Sequence, residues 1–290
     1  MGAIIAVIGL ELAPVAANMA GLTGDNINMV NVAISMFTLA VGVIGSVAFR
    51  GFMSIIPILF GVVCGYVFAA IMGIVNFQPV IDAPWFQVPH FYAPIFDINA
   101  IMIIAPAALV VLAEHIGHLV VTGNIVDRDL IKDPGLSRSL FADGLSNVIS
   151  GFAGATPNTT YGENIGVMAI TKVYSTWVIG GAAVMAIILS FCGKLSELIH
   201  SIPVPVMGGI CILLFGVIAA SGIRVLVERQ VDYSKSSNLV MTSVIMIIGL
   251  SGAKLSFGAF SVQGMVLATV VAIIMSLVFK LFEYLHLLNE

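Results

Sequence analysis

The chain has 290 residues, of which 60% are hydrophobic and 9% charged, with a formal net charge of −4 at pH 7. Soluble domains carry roughly 25% charged residues, so this composition excludes a soluble globular protein and describes an integral membrane one. There is no basic patch interleaved with aromatics, which excludes nucleic acid as a partner.

Apolar runs long enough to cross about 30 Å of hydrocarbon recur along the whole chain without inside/outside alternation, so an all-α polytopic bundle is expected in preference to a strand barrel. The opening Met1-Gly-Ala-Ile-Ile-Ala has neither a basic leader nor the Ser/Thr of a myristoylation signal and reads as a membrane helix that begins abruptly. Spans are predicted at 3–22, 30–49, 54–75, 99–123, 138–152, 162–172, 174–192, 204–223, 237–251 and 262–283, about ten crossings in all. The long connection 76–97, with its prolines, Trp85 and His90, separates the third and fourth, and its aromatics suit interface anchoring. The fifth span carries Asp143 and Asn147, and the sixth is too short to cross as a helix alone. Cys64, Cys192 and Cys211 lie in apolar segments without metal-type spacing, so they read as small core residues and no disulfide is inferred.

Basic residues are retained on the cytoplasmic side of membrane proteins. Arg50, Arg128, Lys132, Arg138, Lys172, Arg224, Arg229, Lys235 and Lys280 fall on one side of the predicted spans, and only Lys194 and Lys254 on the other. Both termini are therefore expected in the cytoplasm. The chain also repeats itself: Met1-Gly-Ala-Ile-Ile-Ala-Val-Ile resembles Met207-Gly-Gly-Ile-Cys-Ile-Leu-Leu, and Ile71-Met-Gly-Ile-Val75 resembles Ile274-Met-Ser-Leu-Val278. Short matches of this kind also arise by chance in Ile/Val/Gly-rich chains. Taken as a repeat, they put the second copy into the membrane from the opposite side, the inverted-repeat plan of secondary transporters. Because the second copy is preceded by about four spans and the first by none, a seven-plus-seven plan implies that about four N-terminal spans are missing.

Chemistry concentrates in two places. In Leu112-Ala-Glu-His-Ile-Gly-His-Leu-Val-Val121, Glu114 and His118 are one helical turn apart and share a face, while His115 is turned away by about 100°. An ionised side chain at membrane depth costs at least about 2.5–3.5 kcal/mol on insertion scales, which makes such residues functional by default. A His one turn on can hold the carboxylate ionised or share its proton. A buried pair that merely pins two helices would use the same residues, and His115 reads as a packed or interfacial side chain. The second place is Gly154-Ala-Thr-Pro-Asn-Thr-Thr-Tyr-Gly-Glu-Asn-Ile-Gly166, where polar β-branched residues suit an extended segment before helical spacing resumes at Glu163. This reads as a broken helix whose free N–H groups face a ligand. Thr160-x-x-Glu163 is also a literal capping box, so Glu163 has a structural reading beside its ligand one. Glu11 is a third membrane carboxylate, with no His partner. A metal site of an intramembrane hydrolase is a further alternative, but the zinc motif needs its His residues four apart with Glu after the first, which His115 and His118 do not satisfy.

Ala113-Glu-His-Ile-Gly-His118, Thr159-Thr-Tyr-Gly-Glu-Asn-Ile-Gly166 and the signature Glu163-Asn-x-Gly-x-x-x-x-Thr171-Lys172 closely resemble the nucleobase/ascorbate transporter family, over essentially the whole chain. The resemblance implies a seven-plus-seven inverted-repeat transporter of the inner membrane, not an enzyme, without cofactor. It would import uracil together with protons and dimerise through its gate domains. It implies that residues 1–98 and 204–290 form the gate domain and 99–203 half of the core domain. Glu114 and Glu163 would hydrogen-bond the pyrimidine ring, His118 would support Glu114 in proton coupling, and Tyr161 and Gly162 would line the base. A neutral pyrimidinedione offers N–H donors to carboxylates and carbonyl acceptors to backbone N–H groups. Phe215 stands at a gate contact where uracil-carrying members commonly have Tyr, so one hydroxyl is lost there. The resemblance also places the start of this chain inside the family's fifth span, which would leave one wall of the site missing. Purine or xanthine transport is the alternative within the family, and a truncated, non-transporting membrane protein the alternative outside it.

Overall fold

Every backbone N–H and C=O inside hydrocarbon must be satisfied within the protein, and apolar runs of this length meet that demand as helices. In the computed structural model, which describes residues 2–24, 27–105, 107–161, 164–165, 168, 172–257, 260–285 and 287, they do so. The helices are α1 (Gly2–Glu11), α2 (Ala13–Met19), α3 (Met29–Ala48), α4 (Pro57–Ile71), α5 (Gln78–Asp82), α6 (Ile98–Ile104), α7 (Ala107–Val126), α8 (Leu136–Phe152), α9 (Thr176–Ser190), α10 (Gly193–His200), α11 (Val204–Glu228), α12 (Ser236–Leu250) and α13 (Gly264–Tyr284). A two-stranded antiparallel hairpin, β1 (Lys254–Phe257) and β2 (Phe260–Gln263), joins α12 to α13 with Leu255 opposite Val262 and Ser256 opposite Ser261.

By length and composition, four described helical segments suit a membrane crossing: Gly2–Met19, Met29–Ala48, Val204–Glu228 and Leu267–Tyr284. The pair α9 and α10 is apolar and long enough when taken together, but is bent by 88° at Phe191–Cys192, as a broken span or a re-entrant loop is. The first segment is interrupted at Leu12, just before Pro14, which has no N–H to return to the preceding turn. The break between α6 and α7 falls likewise where the sequence has Pro106. These breaks were not expected in the spans predicted at 3–22 and 99–123. Nor was it expected that α11 runs to Glu228, past the predicted end at residue 223, or that residues 254–257 and 260–263 pair as strands where a span was predicted to begin at 262. Between α11 and α12, the Ser234 hydroxyl and amide both donate to Asp232 Oδ1 (2.6 and 2.9 Å), and these bonds hold that carboxyl below the usual range.

The chain divides into two compact units. One comprises Met1–Ala13, Ala93–Thr160 and Phe215–Glu290. In it α1 packs on α12 and α13, with Ala3, Ile4, Val7, Ile245, Ala268 and Ala272 forming the core. α1 also meets α11 backbone to backbone: a Cβ at Gly222 would lie 2.6 Å from Gly2 O and collide with Ala6 N. Small residues allow such approach, which is how helices gain packing energy when lipid supplies no hydrophobic drive. α7 packs on α13 and α8, and α6 on β2.

The other unit comprises Pro14–Tyr92 and Tyr161–Leu214. Here α3 and α4 pair closely, Gly65 admitting the Thr38 side chain, around a core of Ile34, Ala69 and Val206. Ser35, fully buried, donates its hydroxyl to Ala20 O (2.8 Å) and so ties the turn after α2 to α3. Ser35→Ala should leave that carbonyl short of a partner and cost about 0.6–1 kcal/mol, read as a small fall in thermal midpoint in detergent. The 76–97 connection docks on the α9–α10 bend: Phe86 stacks on Phe191 (5.9 Å between centroids), Gln87 N donates to Phe191 O, and Lys194 Nζ donates to Val80 O and Ile81 O beside the Trp85 ring.

Candidate functional site

α7 carries Glu114 and His118 on one face as the helical spacing requires, both half-buried. His118 Nδ1 is hydrogen-bonded to Thr160 Oγ1 at 2.8 Å. Thr160 closes the stretch 155–160, which has no helical backbone and follows α8 directly. Gly154, at φ +79°, makes the turn out of α8. The non-helical stretch is held from α8 by two side chains. Asn147 Oδ1 accepts from Asn158 N (2.8 Å) while Asn147 Nδ2 donates to Asn158 O (2.9 Å). Ser146 Oγ donates to Asn158 Oδ1 at 3.0 Å.

His115 is only 3% exposed, and its Nε2 pairs with Ser139 Oγ on α8 at 2.7 Å. Its Nδ1 and Thr159 Oγ1 are buried side-chain atoms that lack a hydrogen-bond partner among the described residues. α7, α8 and the 155–160 stretch are thus linked in a closed polar circuit: α7 to α8 through His115 and Ser139, α8 to the stretch through Asn147, and the stretch back to α7 through Thr160 and His118.

Tyr161 follows Thr160 and is 64% exposed. Gly162 and Glu163 lie outside the described residues, as does most of the 162–172 span; Asn164, Ile165 and Met168 carry helical backbone. Phe215 is half-buried on α11, and its carbonyl lies against Gly9 of α1. Glu11, whose role the sequence left open, ends α1 with its carboxylate against Gly264, the first residue of α13. Among the described residues no three His, Cys, Asp or Glu side chains are grouped to hold a metal ion. Sequence reasoning missed Ser139 and the Asn147–Asn158 clamp. Asn147 was visible as a polar residue in a weak span, but nothing in the sequence told that it would bond to backbone.

A multi-pass helical membrane protein with a Glu- and His-bearing helix braced on a non-helical stretch is the class that these observations define. The sequence model of a permease family matches residues 1–258. The uracil permease of Escherichia coli K12 is 64% identical over 289 residues, 99% of this chain and 67% of that protein. The uracil permease of Paenibacillus larvae is 60% identical over 296 residues, covering 100% of this chain and 70% of the relative, and that of Bacillus subtilis is 46% identical over 291 residues, 96% and 67%. The chain belongs to this permease family, whose members are transporters and not enzymes, as the Ala113–His118 and Glu163–Lys172 motifs led us to expect.

Proposed function

We propose that the protein is a secondary active transporter that imports uracil with protons across the bacterial inner membrane by alternating access. The observation that carries the substrate is the 64% identity to the E. coli uracil permease along nearly the whole chain. Glu114 and Glu163 accept the ring N–H groups of the pyrimidine, Tyr161 and Gly162 line it, and Phe215 closes on it from the gate. His118, steadied by Thr160, supports Glu114 as it gains and loses the coupling proton. In this reading residues 1–98 and 204–290 belong to a gate domain and 99–203 to the core domain, in a seven-plus-seven inverted repeat that dimerises through its gates, with both termini in the cytoplasm.

The test is uptake of radiolabelled uracil by cells that lack their own uracil transport and express the protein. Uptake is expected to rise above the empty-vector level, to collapse when a protonophore removes the proton gradient, and to resist excess unlabelled xanthine. Competition by xanthine as effective as that by unlabelled uracil would assign the protein to purine transport instead.

A further inference from the structure

We propose that Asn147 is a positioning residue that sets the height of the 155–160 stretch and, through it, the hydrogen bond between Thr160 and His118. A non-helical segment next to a helix has N–H and C=O groups that the helix backbone, already paired within itself, cannot satisfy. Asn is the shortest side chain that offers one acceptor and one donor in a plane, and Asn147 applies both to a single residue: Oδ1 to Asn158 N at 2.8 Å and Nδ2 to Asn158 O at 2.9 Å. A two-point contact of this kind fixes both the position and the tilt of the peptide units on either side. Nδ2 also donates to Asp143 O at 3.0 Å, which anchors the amide to its own helix, and Ser146 adds a third bond to the Asn158 side chain.

Thr160 is two residues beyond Asn158 in the same non-helical stretch, so only one residue separates the clamped position from the one that meets His118. A shift of the clamped residue is therefore passed on to the Thr160 hydroxyl, whose 2.8 Å contact with His118 Nδ1 tolerates little displacement before the bond is lost. Asn147 thus controls, from α8, the orientation of an imidazole on α7.

Its bearing on transport rests on the role proposed above for His118; its bearing on His118 itself does not, and the experiment separates the two. The measurement is the ¹⁵N chemical shifts of the His118 ring, assigned with a His118→Gln variant, in the detergent-solubilised protein. Thr160→Val sets the shift that accompanies loss of the hydrogen bond. Asn147→Leu is expected to move the His118 signals to the Thr160→Val position, and Asn147→Asp, which keeps the acceptor for Asn158 N–H and loses the donor to Asn158 O, to move them part of the way. Leu145→Ala, which trims an exposed apolar side chain of the same helix, is expected to leave them in place. Uracil uptake, where the parent shows it, should fall about tenfold in Asn147→Leu. His118 signals unchanged in Asn147→Asp, or moved equally by Leu145→Ala, would overturn the proposal whether or not Asn147→Leu folds. Signals that move as expected in a protein that carries no uracil would uphold the positioning role and remove the transport reading instead.

Discussion

Glu114→Gln is expected to abolish proton-coupled uracil uptake. Glutamine keeps the length of the side chain and one acceptor oxygen but has no titratable proton and no charge, so what it removes is the coupling chemistry rather than the packing of α7. A hydrogen bond from a ring N–H to an ionised carboxylate contributes about 1.5–3 kcal/mol against about 0.5–1.5 kcal/mol for a neutral acceptor. The loss in affinity alone is then roughly tenfold, and the loss of proton-driven accumulation is added to it. The measurement is initial uptake rate and steady-state accumulation at pH 5.5 and 7.5. Uptake that still concentrates uracil and still responds to pH in Glu114→Gln would remove Glu114 from the mechanism. A variant that binds uracil and equilibrates it without accumulation would place Glu114 in coupling and not in binding.

Gly222→Leu is expected to be the most damaging single change to the unit that contains α1, α11, α12 and α13. A side chain at this position must start with a Cβ that collides with Ala6 N and lies 2.7 Å from Ala6 Cα. The obstruction is backbone, so it cannot rotate away as the end of a flexible side chain would, and the two helices have to separate. Overpacking costs about 1–3 kcal/mol, and the upper end applies where helix axes must move. Gly216→Leu supplies the control, since a Cβ there meets nothing within 4 Å on the same helix. Thermal unfolding in detergent should show a fall of several degrees for Gly222→Leu and little change for Gly216→Leu. Equal midpoints for the two variants would mean that the α1–α11 contact contributes nothing to stability.

Much of the fold was legible because hydrocarbon leaves so few solutions. Apolar runs at 30–49 and 237–251 could be read within a residue or two of α3 and α12, as a span has one backbone conformation open to it and its length is set by the bilayer. The strand pair at 254–257 and 260–263 was hidden for the opposite reason. Its strands are four residues each and abut the apolar start of α13, so their alternation is too short to separate from helical spacing. The interruption of the span predicted at 3–22 was not read, although Pro14 lies at it, and neither was its consequence for Glu11: the carboxylate meets the start of a helix more than 250 residues later.

What the sequence determined by itself was the class of protein, its family, and the placing of Glu114 and His118 on one face of one helix. Each of these depends on composition, on a motif, or on the 3.6-residue period, and all are local or additive properties of the chain. The tertiary structure alone decided that His118 is held by Thr160, that Asn147 grips the backbone of Asn158, and that His115 is turned into the α8 interface against Ser139. These are hydrogen bonds between groups 11 to 42 residues apart, and a side-chain amide or hydroxyl can bond to any correctly placed donor or acceptor. Which of them it meets is settled only when the packing of α7 on α8 has fixed the distances to a few tenths of an ångström.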